Sequence, residues 1–354
     1  MGSSVLPSVS PLKVGFFQTL ESVSEDTVLI RDELYGDHTI SEPVLVELLR
    51  SPVLLRLIGI CQHGVTGLLG LTPRITRFEH SVGALLLVRK VRGSLEEQVA
   101  ALLHDISHTT LSHVVDWAFS KPGEGSFHEV HKARYVKKTP LPQILTKHGY
   151  GDLRPLNEDL YPLVEMPSPH LCADRLDYSL RDAVGFKKLE LKDAKRIFAA
   201  LKAFPDVSST RRLLVLEEEQ LALALARVYL ATDRDVWSNK AHIDMYRRTG
   251  QLIGEIIGKG SVKEESLWSL SDQEFWELLR SAADANGLET MNRLQSEGLP
   301  KEDGLSLPQG TKVRTLDPDV LLGTTQEPLP LSIVLPEWAL ERQDYIFSRE
   351  VMRL

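Results

Sequence analysis

Apolar residues recur at helical spacing along most of the chain. In residues 42–61 they stand three and four positions apart, and Ser51-Pro52 divides this run because proline disfavours the helical conformation in the residue before it. Helical spacing returns over residues 189–289, apart from Leu213-Leu-Val-Leu, which favours a strand, and an interruption near Asp233. The pattern predicts a mainly α-helical body over residues 26–290.

The two ends of the chain depart from this pattern. Residues 1–25 carry serine, proline and glycine without a sustained period, which predicts a partly ordered N-terminal arm. Residues 27–40 contain two short strand-like runs around a turn, which predicts a short β-hairpin. Residues 291–354 combine proline and glycine with short valine and leucine runs, so we expect a small mixed C-terminal region.

One apolar helix in the body ends in two polar residues whose burial would be unfavourable. Ser94 and Glu97 have the spacing of a capping box, in which the hydroxyl and the carboxylate each bind a free backbone N–H at a helix start. The helix that follows is apolar nearly all round and reaches His104-Asp105. Burial of an imidazole beside a carboxylate is costly unless something compensates, and a divalent cation would do so.

A second apolar helix carries another histidine, His80, close after the capping signature Thr76-Arg-Phe-Glu. Taken alone, a buried histidine is more often a structural residue bonded to a carbonyl group. However, six of the eleven histidines fall between His80 and His131. Such clustering favours a functional site built from helices.

The positions of Arg77 and His108 make both residues candidates for the same site. Arg77 stands in the first turn of its helix, where the helix dipole disfavours a cation, so a partner such as phosphate is expected, with a surface ion pair as the alternative. His108 follows His104 by four residues, and both would lie on one face if the helix continued. A histidine near its reference pKa of about 6.5 would suit proton transfer at neutral pH.

Four motifs in this order carry a resemblance to a known family: Arg77-Phe-Glu-His80, His104-Asp105-Ile-Ser-His108, Ser112-His113 and Asp174-Arg-Leu-Asp177-Tyr178. Together they resemble the HD-domain phosphohydrolases. Within that superfamily they are similar to the dNTP triphosphohydrolase branch, which includes the bacterial dGTPases and the vertebrate SAM-and-HD-domain enzyme. The resemblance extends over about residues 37–185 and implies an HD-domain helical bundle.

The resemblance also implies roles for individual residues. One divalent ion, Mn, Fe, Mg, Ni or Zn, would be held by His80, His104, Asp105 and Asp174. Proton transfer and positioning of the reacting oxygens would fall to His108, His113, Asp116 and His128. Substrate would be bound by Gln62, Arg77, Arg175, Tyr178 and Asp182, the two arginines at phosphate and the other three at the sugar.

Two positions depart from the family pattern. Ser107 stands where relatives usually carry glycine, and Arg175 replaces a lysine. Because a guanidinium grips phosphate at two points whereas an ammonium is a point charge, the preferred phosphate chain length could differ.

These residues predict a metal-dependent nucleotide phosphohydrolase that releases triphosphate from dNTPs and leaves the deoxynucleoside. One alternative is an HD-type phosphomonoesterase or nucleotidase. Another is an HD-type di-iron oxygenase, for which His108 with His128 or His113 could supply extra ligands. A non-catalytic nucleotide-binding scaffold is the alternative outside the enzymes.

Composition limits the classes of molecule that the protein is expected to bind. The 354 residues carry a formal charge of −8, so the basic excess of a nucleic-acid-binding protein is missing. Cys61 and Cys172 stand far apart and suggest neither a disulfide framework nor a zinc ribbon.

We see neither a membrane-spanning run nor a signal peptide, and expect a cytoplasmic protein with access to the nucleus. Its expected partners are a nucleotide or other phosphorylated small molecule and further copies of itself, as a dimer or larger homo-oligomer.

Overall fold

The computed structural model describes the following residues: 10–121, 123–206, 209, 211–308, 311–323 and 327–352.

The N-terminal part is a four-stranded antiparallel sheet in chain order. Its strands are β1 (Leu12–Lys13), β2 (Gln18–Ser24), β3 (Thr27–Asp32) and β4 (Gly36–Ile40). The predicted hairpin is present as β3 and β4. The prediction of an arm over residues 1–25 is wrong from residue 12 onward, because β2 pairs with β3 and buries Leu20 opposite Ile30; residues 1–9 lie outside the described residues.

The rest of the chain is mainly helical, as predicted. In the described residues the helices are α1 (Pro43–Arg50), α2 (Pro52–Leu55), α3 (Gly64–Leu68), α4 (Arg77–Lys90), α5 (Leu95–Leu103), α6 (Asp116–Phe119), α7 (Phe127–Val136), α8 (Leu141–Lys147), α9 (Ala173–Gly185), α10 (Leu191–Ala200), α11 (Glu219–Thr232), α12 (Lys240–Gly258), α13 (Ser266–Ser269), α14 (Asp272–Ala282), α15 (Ala285–Glu297), α16 (Leu331–Val334) and α17 (Pro336–Val351). Shorter helical turns are Arg56–Gly59, Ser112–Val114, Arg154–Leu156, Glu158–Leu160 and the π-turn Asp233–Trp237.

Helix α4 lies at the centre of the molecule and packs against both α5 and α9. The Thr76 hydroxyl accepts a 3.1 Å hydrogen bond from the Glu79 backbone N–H and so begins α4. Ser94 and Glu97 form the predicted capping box at the start of α5. These two caps fix where α4 and α5 begin, and therefore how many residues separate each helix start from His80 or His104.

Helix α5 ends earlier than the spacing of four between His104 and His108 requires. It stops at Leu103, and the chain continues through tight turns in which the Ile106 N–H binds the Leu103 carbonyl at 3.1 Å. The condition for one shared helical face, a helix that continues past His104, is therefore not met. The turns nevertheless bring His108 back toward His104, because both flank the carboxylate of Asp105.

A second sheet joins the body to the C-terminal region. Its strands, in the order in which they pair, are β5 (Leu201–Phe204), β6 (Leu213–Leu216), β7 (Asp319–Val320) and β8 (Leu329–Pro330). The C-terminal region is small and mixed, as predicted. The boundary proposed at residue 290 lies inside α15, and β7 pairs in parallel with β6 of the body, so segment 291–354 shares a sheet with the residues before it.

Candidate metal centre

Three of the predicted metal ligands come from separate elements and meet at one point. The Nε2 atoms of His80 in α4 and His104 after α5 are 3.1 Å apart. Asp174 at the start of α9 places its Oδ1 atom 3.0 Å from the first and 3.4 Å from the second. Two imidazole nitrogens and a carboxylate oxygen in this arrangement are a suitable donor set for a divalent cation.

Asp105, the fourth predicted ligand, lies at the edge of this cluster. Its Oδ2 atom is 3.6 Å from His80 Nε2 and 3.8 Å from His104 Nε2. The same oxygen accepts a 2.7 Å hydrogen bond from Nη1 of Arg77. The structure thus brings the four side chains together, and their role as ligands of one ion stays a prediction.

The carboxylates around His80 and His104 stabilise positive charge in this cluster. Burial opposes protonation of His80, but hydrogen bonds to Asp174 and Asp177 outweigh it and raise the pKa of His80 to about 10. Burial likewise opposes ionisation of Asp174, yet its hydrogen bonds to His104 and His80 lower the pKa of this carboxyl. In the absence of a cation, the cluster therefore retains a proton at neutral pH.

We expect metal binding to this cluster to release a proton and to strengthen as pH rises. Because the raised pKa of His80 keeps the ring protonated below about pH 10, a cation must displace that proton, and affinity should rise by up to about tenfold per pH unit for each proton displaced. Calorimetric titration of metal-depleted protein with Mn²⁺ between pH 6 and 8, in buffers of different ionisation enthalpy, measures both effects. An affinity independent of pH would contradict the expectation.

A second histidine cluster adjoins the first through the other oxygen of Asp105. His108 Nε2 lies 3.4 Å from Asp105 Oδ1, and the rings of His108 and His128 stack with centroids 3.5 Å apart. The ring of His113 is 5.0 Å from that of His108. Ligand nitrogens of these three histidines lie within 4.8 Å of one another, so this cluster could also hold a cation.

Burial keeps two of these imidazoles neutral. Desolvation, with the nearby charge of Arg77, holds the pKa of His108 well below its usual value. Desolvation lowers the pKa of His128 to about 3. The expectation of histidines near their reference pKa is therefore wrong for His108 and His128, which are neutral and weakly basic at pH 7 and can accept a hydrogen bond but not readily a proton.

Asp116 orients His113 at the exposed side of the second cluster. Asp116 Oδ2 lies 2.9 Å from His113 Nδ1, and its Oδ1 accepts a 2.8 Å hydrogen bond from the Phe127 backbone N–H at the start of α7. The side chain of His113 is 49% exposed, against 1% for His108. Among the three histidines of the cluster, His113 is therefore the one that solvent or a leaving group can reach most readily.

The two arginines predicted to bind phosphate differ in their surroundings. Arg77 contacts Asp105 and donates from Nε to the Ser112 hydroxyl at 3.0 Å, so its guanidinium faces both clusters. Arg175 instead donates to the carbonyl oxygens of Met166 and His170 at 3.0 and 2.7 Å. The second arginine thus holds the loop before α9.

Two of the residues predicted to contact a sugar are paired with protein groups. The hydroxyls of Tyr178 and Tyr229 are 2.8 Å apart. Asp182 lies with one carboxylate oxygen 2.9 Å from His63 Nε2, and the other accepts a 2.6 Å hydrogen bond from the Trp237 indole. Trp237 reaches Asp182 from the π-turn between α11 and α12, an irregularity that often marks functional positions.

Gln62, the third predicted sugar contact, differs from these two. Its side-chain oxygen is buried and has no hydrogen-bond partner among the described residues. Buried polar atoms are nearly always paired, so an unpaired one indicates a missing partner such as a ligand or water.

A family model supports the resemblance. The model described as "HD domain" matches residues 77–168, which include both histidine clusters but not Asp174. The metal-dependent phosphohydrolase cns2 of Cordyceps militaris is 60% identical over 339 residues, which are 96% of this chain and 98% of that protein. The chain belongs to the HD-domain metal-dependent phosphohydrolases.

Two further comparisons place this HD-domain phosphohydrolase among more distant proteins. The deoxynucleoside triphosphate triphosphohydrolase SAMHD1 of Danio rerio is 27% identical over 184 residues, which are 46% of this chain and 29% of that protein. The crystal structure of a phosphohydrolase from Bacteroides thetaiotaomicron superposes with a TM-score of 0.67 and 19% identity, covering 88% of this chain and 96% of that one. The latter likeness shows the fold.

Residue-level reasoning missed two groups near the candidate metal centre of this HD-domain phosphohydrolase. Glu165 lies beside Asp174, and burial together with that neighbouring carboxylate raises the pKa of Glu165 to about 8. It stands in an irregular loop, so no periodicity could have marked it. The motif that contains Asp177 indicated no role for this residue, although its spacing of three from Asp174 puts both on neighbouring positions of α9.

No helix in the described ranges of this HD-domain phosphohydrolase has both the length and the apolar character needed to cross a membrane.

Proposed function

We propose that this phosphohydrolase acts on nucleotides and releases triphosphate from dNTPs. The observation that carries the proposal is the position of Asp105, which faces His80 and His104 with one oxygen and His108 with the other. A phosphoryl group bound at the first cluster would then lie beside the histidines of the second. The order of motifs and the partial match to a named dNTP triphosphohydrolase support the nucleotide.

The cation would be held by His80, His104, Asp105 and Asp174. When bound, a divalent ion would polarise a phosphoryl oxygen and acidify water. Two imidazoles and two carboxylates suit Mn, Fe, Mg or Ni better than copper(I) or a structural zinc site.

The chain's own residues would position the attacking water and supply a proton to the leaving group. His108 and His128, neutral because they are buried, would orient the attacking water by accepting a hydrogen bond from it, and the proton of that water would pass to solvent. His113, held by Asp116 and half exposed, would protonate the leaving oxygen. Arg77 would stabilise charge that develops on the phosphoryl oxygens.

An aromatic wall next to the first cluster would receive the nucleoside. The rings of Tyr178 and His80 have centroids 6.4 Å apart, and Trp237 packs edge-on against Tyr178 at 5.1 Å. Neither Tyr178 nor Trp237 is fully buried. Aromatic faces of this kind stack well on bases.

One observation favours a second candidate, hydrolysis of a phosphate monoester. A triphosphate calls for several cations, yet Arg175 is bonded to two carbonyl oxygens and Lys132 to the His104 carbonyl and Glu158. Arg77 is bonded to Asp105, which is itself a predicted metal ligand. A substrate with one phosphate could bind at the metal while more of these bonds between the cations and the protein remain intact.

Product analysis decides between the two candidates. Metal-depleted protein would be supplied with Mn²⁺ or Mg²⁺, incubated with dNTPs, NTPs and mononucleotides, and its products resolved by ion exchange. Triphosphate with nucleoside supports the proposal, whereas orthophosphate from mononucleotides alone moves the second candidate ahead. An absence of turnover on all three substrate classes would contradict both.

The alternatives rank behind these two. The second histidine cluster supplies ligands that an oxygenase with two irons would need, but membership of the phosphohydrolases favours hydrolysis. Membership of an enzyme family also argues against a non-catalytic scaffold. Manganese or iron as the native metal, a homo-oligomeric state and a cytoplasmic location with access to the nucleus remain part of the proposal.

A further inference from the structure

The side of His80 that faces away from the metal cluster is bonded to Asp177. His80 Nδ1 lies 2.8 Å from Asp177 Oδ2, and neither side chain is more than 1% exposed. Metal-binding histidines commonly donate their second ring N–H to a carboxylate, which fixes the tautomer and makes the other nitrogen a stronger ligand. Asp177 is in place to do this for His80.

Asp177 is in turn held by two further residues. The Tyr35 hydroxyl donates to Asp177 Oδ1 at 2.9 Å, and Nε of Arg181 lies 2.9 Å from the same oxygen. Tyr35 follows strand β3, 142 positions before Asp177. The N-terminal sheet therefore contacts a predicted metal ligand through a single intervening carboxylate.

Arg181 ties the same sheet to α4. Its Nη2 donates to Asp32 of β3 at 2.7 Å, and its Nη1 lies 3.2 Å from Glu79, which directly precedes His80. All three side chains are fully buried. Glu79 also accepts hydrogen bonds from the backbone N–H groups of Phe16 and Phe17, at 2.8 and 2.6 Å, just before β2.

Two glycines allow the carboxylates of this network to lie close to neighbouring backbone. A Cβ atom on Gly83, one turn after His80 in α4, would lie 1.8 Å from Asp177 Oδ1. A Cβ atom on Gly15 would lie 2.0 Å from Glu79 Oε2. Any side chain at either position would push a carboxylate of the network out of place.

The network carries excess negative charge next to His80. Three buried carboxylates, from Asp32, Glu79 and Asp177, surround the single guanidinium of Arg181. Buried negative charge is costly unless it is compensated. Positive charge on the His80 side, carried by the protonated ring or by a bound cation, would compensate part of it.

We infer that the N-terminal sheet is a working part of the metal centre, and that Tyr35, Asp177 and Arg181 act as positioning residues for His80. The sheet lies outside residues 77–168, which match the HD-domain model, so the segment that carries the family signature does not supply this support by itself. The inference rests on His80 being a metal ligand, and not on the identity of the nucleotide.

The test measures binding of Co²⁺ alone to metal-depleted protein. Tyr35→Phe removes one hydroxyl, and Asp177→Asn preserves shape but removes the charge. We expect affinity to fall by about 10- to 100-fold for Asp177→Asn and by less for Tyr35→Phe, with a shift in the visible absorption of bound Co²⁺. Tyr161→Phe is the matched control, because the Tyr161 hydroxyl also contacts a carboxylate, that of Glu96, in a different part of the protein.

His80→Ala gives the reference for loss of the ligand itself. Unchanged affinity and spectrum in both Tyr35→Phe and Asp177→Asn would overturn the inference, as would an equal loss in Tyr161→Phe. If Asp177→Asn does not fold, the milder Tyr35→Phe decides the matter. Because no nucleotide is present, these results do not depend on which nucleotide is hydrolysed, and His80→Ala shows separately whether His80 binds the metal.

Discussion

Replacing Asp174 by alanine is expected to abolish bound metal and turnover together. Its Oδ1 atom lies 3.0 Å from His80 Nε2 and 3.4 Å from His104 Nε2, so the change would remove the carboxylate that faces both imidazoles. Two neutral imidazoles with the more distant Asp105 make a much weaker site for a hard cation. Metal content per chain by mass spectrometry, together with phosphate release, measures both losses.

Asp152→Ala is a suitable control, since this aspartate is exposed and belongs to neither histidine cluster. It should retain full metal content and activity. If Asp174→Ala keeps its metal and full activity, Asp174 is not a ligand of the ion.

Replacing Arg181 by methionine is expected to cause a large loss of stability. The guanidinium pairs with Asp32, Glu79 and Asp177 in the interior, and its removal leaves three carboxylates without their common cation. Removing one partner of a buried ionic group costs about 3–5 kcal/mol in the free energy of unfolding. The shift in the urea unfolding midpoint of metal-depleted protein measures this loss without interference from metal binding.

Arg196→Met provides the comparison, because among the described residues Arg196 is ion-paired with Asp193 alone, near the surface of α10. Surface changes of this kind usually alter stability by no more than about 0.5 kcal/mol. Equal effects of the two substitutions would show that the Arg181 network does not stabilise the fold.

The two variants probe different parts of one arrangement. Asp174 lies on the side of His80 that faces the cluster, and Arg181 acts through Asp177 on the opposite side of the same ring. A protein that loses Asp174 should therefore remain folded without its metal, whereas one that loses Arg181 should be compromised in both respects.

The elements that carry the first cluster could be predicted because their signals are local. Thr76 and Ser94 start their helices with hydrogen bonds to groups three residues away, and such caps are readable in a short stretch of sequence. The presence of His104 and Asp105 at the end of an apolar helix indicated that something must offset their burial. The motif order then pointed to the family.

Where the local signal was ambiguous, prediction failed. The spacing of four between His104 and His108 suggested one helical face, but α5 ends at Leu103. Residues 18–24 appeared irregular because their pairing partner is another strand, β3, and not a feature of their own sequence. The pKa values of His108 and His128 depend on burial, which residue spacing does not specify.

By itself the sequence indicated the candidate side chains, most of the helices near them and the family to which the chain belongs, because capping, periodicity and motif order depend on residues close together in the chain. Only the tertiary structure decided that Tyr35 would reach Asp177 and that Arg181 would join Asp32 to Glu79. Those contacts depend on how closely distant elements can pack, which here is set by two glycines without a Cβ atom. Packing of that kind involves the whole chain at once, and no short stretch of sequence encodes it.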